Sequence, residues 1–488
     1  MMKPLAPAVL FAAAAASYGA TPAHTLATAA LHNEAGRIVA RNPVLAAAPS
    51  SDLWAGSWIA MCFAPGTDEG YMEQVYRWIL TQSGIDPDER YYADASWNAG
   101  VNAVGTPTSR TYSFPADTLG GIGGGATSQN VLNARFTAWF GSVAEGQAKV
   151  RQVFDRWQQL ARVTFTQVND DNASWGSGGT SNRGDIRIVS INIDGPGGTL
   201  AFNFFPTNGD MVLDSSENYQ SATNDFRFFR NVVAHENGHG MGLAHSCPQN
   251  GTKLMEPAAN TNFDGPRLDD IRGMQRLYGD NLESNDTVGT ASNIGQVGAG
   301  FVLADRSIDN GVGNFFPADV DFYRFTVPTA GTLNISLIVN HVSPYTNAPQ
   351  GGGCPTGTSV DPRAILDLGF ELRDSTGLNV LHTANSGGLG QNESLTGYAI
   401  AQGGTYHLRI FTNDGLSDIQ VYRLEMGFQG EGCPGDTNGD NTVDFSDLNI
   451  VIFQFNQSGP SLIGDVNNDG IVDFSDLNLV LSNYNQSC

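Results

Sequence analysis

The chain has 488 residues, a length that predicts roughly two to four domains. It carries 25 basic and 49 acidic side chains, for a formal net charge of −24, and its only lysines are Lys3, Lys149 and Lys253. A protein that binds a phosphate backbone needs a basic surface, so this composition excludes a nucleic-acid partner. Charged residues make up only 15% of the chain and glycine occurs 58 times, which favours extracellular β-rich modules over coiled coils or helical arrays.

The first 23 residues have the layout of a secretory signal peptide. Lys3 precedes an apolar, alanine-rich run over residues 5–16, and small residues follow at 17–23. The alternative is an alanine-rich disordered tail. The run is too short to cross a bilayer, and no later stretch approaches ~18 apolar residues, so we expect a secreted protein with no membrane span.

Five cysteines are few for this length. Cys433 and Cys488 bracket a short C-terminal segment, as the two ends of a disulfide would in an oxidising compartment. Cys62, Cys247 and Cys354 are an odd number, so at least one of them is free or bonded to another molecule.

Residues 24–89 form a region to which the pattern assigns no function, a propeptide being one interpretation. Its one helical pattern is Asp68–Gln82, with apolar residues at helical spacing. Residues 90–280 mix both element types and predict an α/β domain with a mixed sheet. Helices are expected at 145–161, 224–241 and 268–278, and strands at 163–168, 185–191 and 210–214.

Turn-separated β segments run through residues 281–428 and predict an all-β sandwich. Strands are expected at 321–327, 332–339, 366–373, 405–412 and 421–428. Residues 433–488 then contain an internal repeat, because Asp444–Asn449 recurs 29 positions later as Asp473–Asn478. The chain is therefore predicted to be multidomain.

The strongest local pattern is H-E-x-x-H followed by G-x-x-H, which begins at His235. On a helix, His235 and His239 share a face and can bind one Zn²⁺, with Glu236 beside it. Gly242 lets the chain turn sharply and bring His245 back as a third ligand. Three histidines leave the fourth position for water, which indicates one catalytic zinc rather than a structural one. The alternative is a set of ordinary helix histidines.

With its flanking sequence the motif resembles the matrixin branch of the metzincin endopeptidases, over roughly residues 90–280. The flanking matches are Leu254–Pro257 and Leu268–Gly279. The resemblance implies that Met255 is the Met-turn residue beneath the zinc and that the residues after Pro257 line the pocket for the substrate side chain following the scissile bond. It also implies that Gly198–Asn203 is an edge strand that pairs with extended substrate, and that Glu236 is the general base.

Matrixins often carry a calcium loop, and Asp194–Gly198 with Asp214 and Glu217 matches it, although a solvated acidic turn is the alternative. Many also hold a second, structural zinc, but Phe202 and Val212 occupy two of the matching positions here. We therefore predict that this second zinc is absent.

The family's latency segment, P-R-C-G-x-P-D, has no match in this chain. Cys62 is the only cysteine upstream of the zinc motif. It is interpreted either as a residue that caps the zinc or as a buried or disulfide-bonded cysteine.

Residues 433–488 resemble a dockerin, a small α-helical module that binds two Ca²⁺ through EF-hand-like loops. Oxygen ligands stand at the required spacing in both copies, and Asp at the last position matches the dockerin variant. The first loop offers Asp436, Asn438, Asp440, Thr442 and Asp447, and the second offers Asp465, Asn467, Asp469, Ile471 and Asp476. The resemblance implies a cohesin-type partner, with a structural cap folded by calcium as the alternative.

Residues 281–428 resemble a bacterial pre-peptidase C-terminal domain. The matching segments are Asn285–Thr287, Asp319–Phe325 and Gly403–Arg409. Taken together, the resemblances imply a secreted, calcium-stabilised zinc endopeptidase that acts on proteins or peptides. The competing hypothesis is a non-catalytic adhesion or scaffold protein on a metzincin fold, which retention of Glu236 and all three histidines disfavours.

Overall fold

The computed structural model describes residues 59–67, 72, 96–98, 105–122, 128–176, 182–309, 319–339, 345–349, 354, 356, 358–413, 419–430, 434–440, 442–459, 462–467 and 469–486. The predicted signal peptide lies outside the described residues, as does nearly all of the helical pattern at Asp68–Gln82. The predicted pair Cys433 and Cys488 also lies outside them.

A six-stranded mixed sheet forms the frame of the first domain, in the order β1-β5-β6-β4-β2-β3. Strands β2, β3, β4 and β6 run parallel to one another, whereas β5 is antiparallel to β6 and β1 is antiparallel to β5. The strands are β1 (Ile59–Phe63), β2 (Thr108–Ser113), β3 (Val163–Gln167), β4 (Ile186–Ile191), β5 (Thr199–Phe204) and β6 (Met211–Asp214). The strand predictions for β3, β4 and β6 are confirmed.

Four helices accompany this sheet: α1 (Leu132–Phe140), α2 (Val143–Leu160), α3 (Arg227–Gly240) and α4 (Leu268–Tyr278). The Ser142 side chain caps α2 by accepting a hydrogen bond from the backbone N–H of Glu145. One face of α2 is buried, and the indole of Trp157 donates to the carbonyl of Ala234 on α3. The predictions for α2, α3 and α4 are confirmed, whereas α1 and the strands β1 and β2 were not predicted.

The second domain consists of two sheets that enclose one apolar core. One sheet has the order β15-β14-β17-β10-β8 and the other β16-β11-β18-β9. The strands are β8 (Ser292–Gln296), β9 (Phe301–Asp309), β10 (Asp321–Val327), β11 (Gly331–Ile338), β14 (Leu368–Arg373), β15 (Val380–Ala384), β16 (Glu393–Ile400), β17 (Gly404–Thr412) and β18 (Ile419–Gly430). A short 3₁₀ helix, Val288–Thr290, precedes them.

The two domains are joined covalently and by hydrogen bonds. Strand β7 (Ser246–Cys247) pairs with β12 (Tyr345–Pro349), which pairs with β13 (Thr358–Val360), and a disulfide links Cys247 to Cys354. Cys62 is free and buried. On α4, the amide of Gln275 donates to the carbonyls of Leu160 and Asp305 at 2.8 and 2.7 Å.

The C-terminal repeat forms two helices, α5 (Phe445–Gln454) and α6 (Phe474–Ser482). Each begins after an aspartate, Asp444 or Asp473, whose side chain accepts from the backbone N–H two residues on. Val443, Val451, Val472 and Val480 form a small core between the two copies. In the part of the chain that the structure describes, no helix is long and apolar enough to cross a bilayer.

Candidate metal centre

Helix α3 and the turn after it bring three histidines together in the core of the first domain. His235 and His239 lie four residues apart on one face of α3, and Gly242, with a φ of 106°, turns the chain so that His245 returns. The Nε2 atom of His235 lies 2.9 Å from that of His239 and 3.1 Å from that of His245. Nitrogens bound to one tetrahedral zinc lie about 3.3 Å apart, so the three side chains fit such an ion.

Backbone carbonyls fix the imidazole tautomers. Nδ1 of His235 faces the carbonyl of Leu254 at 2.8 Å, and Nδ1 of His239 faces that of Leu243 at 2.6 Å. A carbonyl only accepts, so Nδ1 must carry the proton and Nε2 presents its lone pair. Burial and then the neighbouring His245 lower the pKa of His235 to about 3, and burial with its two imidazole neighbours lowers the pKa of His239 well below 6.5. Both rings are neutral at pH 7, the form that binds a metal.

Glu236 is fully buried beside this cluster. Burial raises the pKa of its carboxyl well above 4.5, and the backbone N–H of Cys62 offsets this in part. Among the described residues, neither oxygen of the Glu236 carboxylate has a hydrogen-bond partner. The Cys62 N–H therefore lies near the carboxylate without forming a hydrogen bond of normal geometry. A carboxylate in this position is suited to carry a proton.

The turn at Leu254–Met255 lies against the underside of α3. A side chain at Gly238 would place its Cβ 2.6 Å from the sulfur of Met255, which explains the glycine between the two helix histidines. Asp270 on α4 holds the turn, because its carboxylate accepts from the backbone N–H groups of Leu254 and Met255 at 2.8 and 3.0 Å. Burial raises the pKa of Asp270 to about 7. This positioning role was not predicted, although the acidic first turn of α4 is a visible signal.

Strand β1 covers the metal centre, a feature that sequence reasoning missed. It pairs with the outer edge of β5, so the expectation that Gly198–Asn203 forms an edge strand is wrong for this state of the chain. The interpretation of Cys62 as a buried residue is confirmed, and it is not disulfide-bonded. Its sulfur lies within 4.8 Å of ligand atoms of His235 and Glu236.

The residues predicted to bind calcium in this domain gather around one loop. The backbone N–H of Thr199 donates to Asp194 at 2.8 Å, and that of Gly197 donates to Glu217 at 2.6 Å. Asp214 accepts from the N–H and hydroxyl of Ser216, each at 2.7 Å. Among the described residues the three carboxylates do not form one group within 4.8 Å. Phe202 and Val212, the positions that argued against a second zinc, face each other across β5 and β6 in an apolar cluster.

The two C-terminal loops have matching hydrogen-bond networks. Asp447 accepts from the N–H groups of Thr437 and Asn438 at 2.8 and 3.1 Å, and Asp476 accepts from those of Val466 and Asn467 at 2.7 and 3.1 Å. In the first loop, oxygens of Asp436, Asp440 and Asp447 lie within 4.8 Å of one another. Thr442 and Ile471 stand where a backbone carbonyl ligand is expected, and Asp465 and Asp469 occupy the positions equivalent to Asp436 and Asp440.

A second, partly buried polar cluster lies where the two domains meet, and we call it the acidic junction. Its members are Asp280, Glu283, Asp286, Asp319 and Asp321. Burial and then mutual repulsion raise the pKa of Glu283 to about 8, and the pKa values of Asp319 and Asp321 rise well above 3.8 for the same reasons. Within the described structure, Oδ1 of Asp321 and Oδ1 of Asn285 are buried without a hydrogen-bond partner. Cation binding would satisfy them.

The sequence contained a signal for this junction that was used only as a resemblance. Asn285 and Asp286 belong to one quoted segment, and Asp319 and Asp321 belong to another. The pairing of Phe322 N–H with the carbonyl of Asn285 at 2.8 Å brings the two segments together.

The mixed sheet, the long helices and the three-histidine cluster define a domain of the zinc-metallopeptidase class. Residues 137–279 match the family model described as matrixin, and residues 319–412 match the one described as bacterial pre-peptidase C-terminal domain. The chain therefore carries a matrixin domain followed by a pre-peptidase C-terminal domain.

Curated relatives match the matrixin domain. A hatching enzyme of Paracentrotus lividus is 35% identical over 152 residues, 29% of this chain and 24% of that protein. An interstitial collagenase of Bos taurus is 36% identical over 152 residues, 30% of this chain and 31% of that protein. Matrix metalloproteinase-20 of Homo sapiens is 34% identical over 164 residues, 31% of this chain and 32% of that protein. The chain thus spans between 24% and 32% of the length of these three relatives.

Proposed function

We propose that the chain is a zinc-dependent metalloendopeptidase that hydrolyses internal peptide bonds of proteins. The observation that carries the proposal is the convergence of three imidazole Nε2 atoms beside the buried carboxylate of Glu236. When bound, zinc supplies a Lewis acid that lowers the pKa of water and polarises a carbonyl. His235, His239 and His245 hold it, and Glu236 takes a proton from the attacking water and delivers it to the leaving amine.

The experiment is hydrolysis of casein by the full chain, with Glu236→Gln and a zinc chelator as the two interventions. Loss of the proton carrier should lower kcat by at least about 100-fold while zinc stays bound. The matched control is Glu145→Gln, because Glu145 is an exposed glutamate at the start of α2. Equal activity of the parent and Glu236→Gln would contradict the proposal. A parent that binds zinc but never hydrolyses protein would favour the adhesion or scaffold hypothesis.

Calcium is proposed as a second, structural cofactor. The acidic junction supports this most strongly, because its buried carboxylates carry unpartnered oxygens, which calcium prefers as ligands. The loop of Asp194, Asp214 and Glu217 and the two C-terminal loops are further calcium sites in this proposal. Calorimetric titration of the chelated chain with Ca²⁺ tests it, and an absence of heat would reject it.

The C-terminal repeat is proposed to be a dockerin-like module that binds a cohesin-type partner. Its support is a duplicated set of exposed apolar side chains, Phe445 and Ile452 on α5 and Phe474 and Leu481 on α6. Pull-down of a purified cohesin by the full chain, compared with Phe445→Ser/Phe474→Ser, tests this. Equal capture would contradict it. Export through residues 1–23 is proposed from the signal-peptide pattern, and sequencing the N-terminus of the exported chain tests it.

A further inference from the structure

The third candidate zinc ligand is held differently from the first two. His235 and His239 belong to helix α3, whose backbone hydrogen bonds fix their positions. His245 lies beyond the end of that helix, three residues after Gly242, where the left-handed backbone turns the chain. The position of this ligand therefore depends on what holds the segment that follows it.

The segment that follows, residues 246–256, is tied to the turn beneath the metal centre. The N–H of Ser246 on β7 donates to the carbonyl of Met255 at 2.9 Å. Within the segment, the Glu256 carboxylate lies 3.3 Å from the buried ammonium group of Lys253 and accepts from the backbone N–H of the same lysine at 3.1 Å. These bonds close the segment on itself, so whatever holds β7 also holds the chain next to His245.

The second domain holds this segment at β7. Strand β12 pairs with β7 in antiparallel register, with Ala348 opposite Cys247 and Pro349 opposite Ser246. The disulfide between Cys247 and Cys354 closes the same contact covalently. We call β7, β12 and this disulfide the interdomain link. Paired strands lie about 4.8 Å apart, so β12 passes one strand spacing from a residue that adjoins a zinc ligand.

The interdomain link can position His245 only if the second domain is itself fixed against the first. Helix α4 provides that fixed point. The guanidinium of Arg276 pairs with the carboxylate of Asp309 on β9 at 2.7 Å, and Arg272 donates to the carbonyl of Ile419 on β18 at 3.2 Å. The second domain is thus anchored on α4 and reaches from there to β7.

We propose that Cys247 and Cys354 are positioning residues, and that the interdomain link places the imidazole of His245 before zinc binds. This rests on the proposed peptidase function. Without the link the chain keeps all three imidazoles, but the third must be ordered by the metal, and ordering a group on binding lowers the affinity. Groups that orient a metal ligand typically contribute about 10–100-fold in metal affinity. The second domain is therefore a working part of the metal centre.

The test is the zinc dissociation constant of the full chain, measured by competition with a chromophoric chelator. All chains carry Glu236→Gln, so that hydrolysis does not interfere. Cys247→Ala/Cys354→Ala is expected to bind zinc about 10–100-fold more weakly than this background chain. The control is Arg276→Gln, which breaks an ion pair between the same two domains outside the interdomain link and should change the constant by less than about threefold.

Equal zinc affinity in the double variant and the background chain would overturn the proposal and leave the peptidase function standing. An equal loss in Arg276→Gln would assign the effect to domain docking in general and would also overturn it. A background chain that binds no zinc at all would instead reject the proposed peptidase function.

A second measurement leaves the disulfide intact. Hydrogen exchange, read by peptide mass spectrometry, follows the amides of residues 246–256 in the metal-free background chain. A segment that is already in position predicts exchange at least about 100-fold slower than in urea, with zinc adding no more than about threefold. Protection that arises only after zinc is added would show that the metal orders this segment, and it would overturn the proposal.

Discussion

The metal centre is a buried cluster of titratable side chains and the acidic junction is a partly buried one, and they are assembled in opposite ways. The metal centre takes its four key side chains from residues 235–245, and two of its histidines are positioned by the nearby carbonyls of Leu243 and Leu254. The junction takes its carboxylates from residues 280–286 and 319–321, which meet through tertiary packing. Burial keeps the His235 and His239 imidazoles of the first cluster neutral, the form that binds a cation. The second cluster holds like charges together. Arg306 pairs with Asp280 at 3.2 Å, and protons or a bound cation would offset the remaining repulsion.

The largest effect is expected at the metal centre. His239→Ala removes one of three ligands, and zinc content measured by mass spectrometry of the metal should fall from about one ion per chain to near zero. Casein hydrolysis should be lost with it. His382→Ala is the matched control, because His382 lies on β15 in the second domain, outside every metal-binding group of described residues. Full zinc retention in His239→Ala would show that His239 is not a zinc ligand.

The acidic junction is expected to make stability depend on pH and calcium. The folded-state pKa of Glu283 is raised from 4.5 to about 8, so the folded chain binds protons more tightly than the unfolded chain does. The stability from this group is present below about pH 4.5 and is lost as the pH rises through about 8. The melting temperature of the chelated chain should therefore fall across this range, and Ca²⁺ should restore several degrees at the alkaline end.

Asp321→Asn sharpens that prediction, because Asp321 is fully buried within the junction. Its calcium-dependent rise in melting temperature should be at most half that of the parent. The control is Asp361→Asn, whose carboxylate pairs with Arg363 away from the junction and should leave the calcium effect unchanged. If Ca²⁺ raised the melting temperature of Asp321→Asn as much as that of the parent, the stabilising calcium ion would not bind at Asp321.

The metal centre could be predicted from the sequence, because its ligands lie close together along the chain and local backbone geometry brings them together. A helix places residues four apart on one face, and a single glycine supplies the turn to His245. The α2 and α4 boundaries were likewise readable from apolar periodicity. Strand β1 could not be predicted from the sequence, because its partner strand β5 lies about 140 residues away. Its pairing also depends on which strand edges remain unpaired in the folded domain. The acidic junction was not predicted for the same reason, because it forms between segments that are distant in the sequence.

A smaller effect is expected at the turn beneath the metal centre. Asp270→Asn replaces one carboxylate oxygen by an amide that faces backbone N–H groups of residues 254, 255 and 267. Urea unfolding should show a loss of about 1–3 kcal/mol. The neighbouring Asp269→Asn, which loses only a 3.9 Å ion pair with Arg272, is the control and should change stability by less than about 1 kcal/mol. Equal losses of unfolding free energy in Asp270→Asn and Asp269→Asn would contradict the role of Asp270 in holding the turn.

The smallest effect is expected from steric contact with Met255. In Gly238→Ala the new Cβ would lie 2.6 Å from a flexible thioether, which can shift, so we expect a loss of about 1–2 kcal/mol in the same urea measurement. Gly298→Ala is the control, since its Cβ would meet no atom within 4 Å. A Gly238→Ala chain as stable as the control would show that the Met-turn is less closely packed than described.

The three-histidine ligand set can be tested by X-ray absorption at the zinc edge of the Glu236→Gln chain. Three imidazoles without a thiolate predict only nitrogen or oxygen scatterers at about 2.0–2.1 Å. A sulfur scatterer at about 2.3 Å would show that Cys62 caps the ion. That result would contradict the proposed ligand set of three histidines.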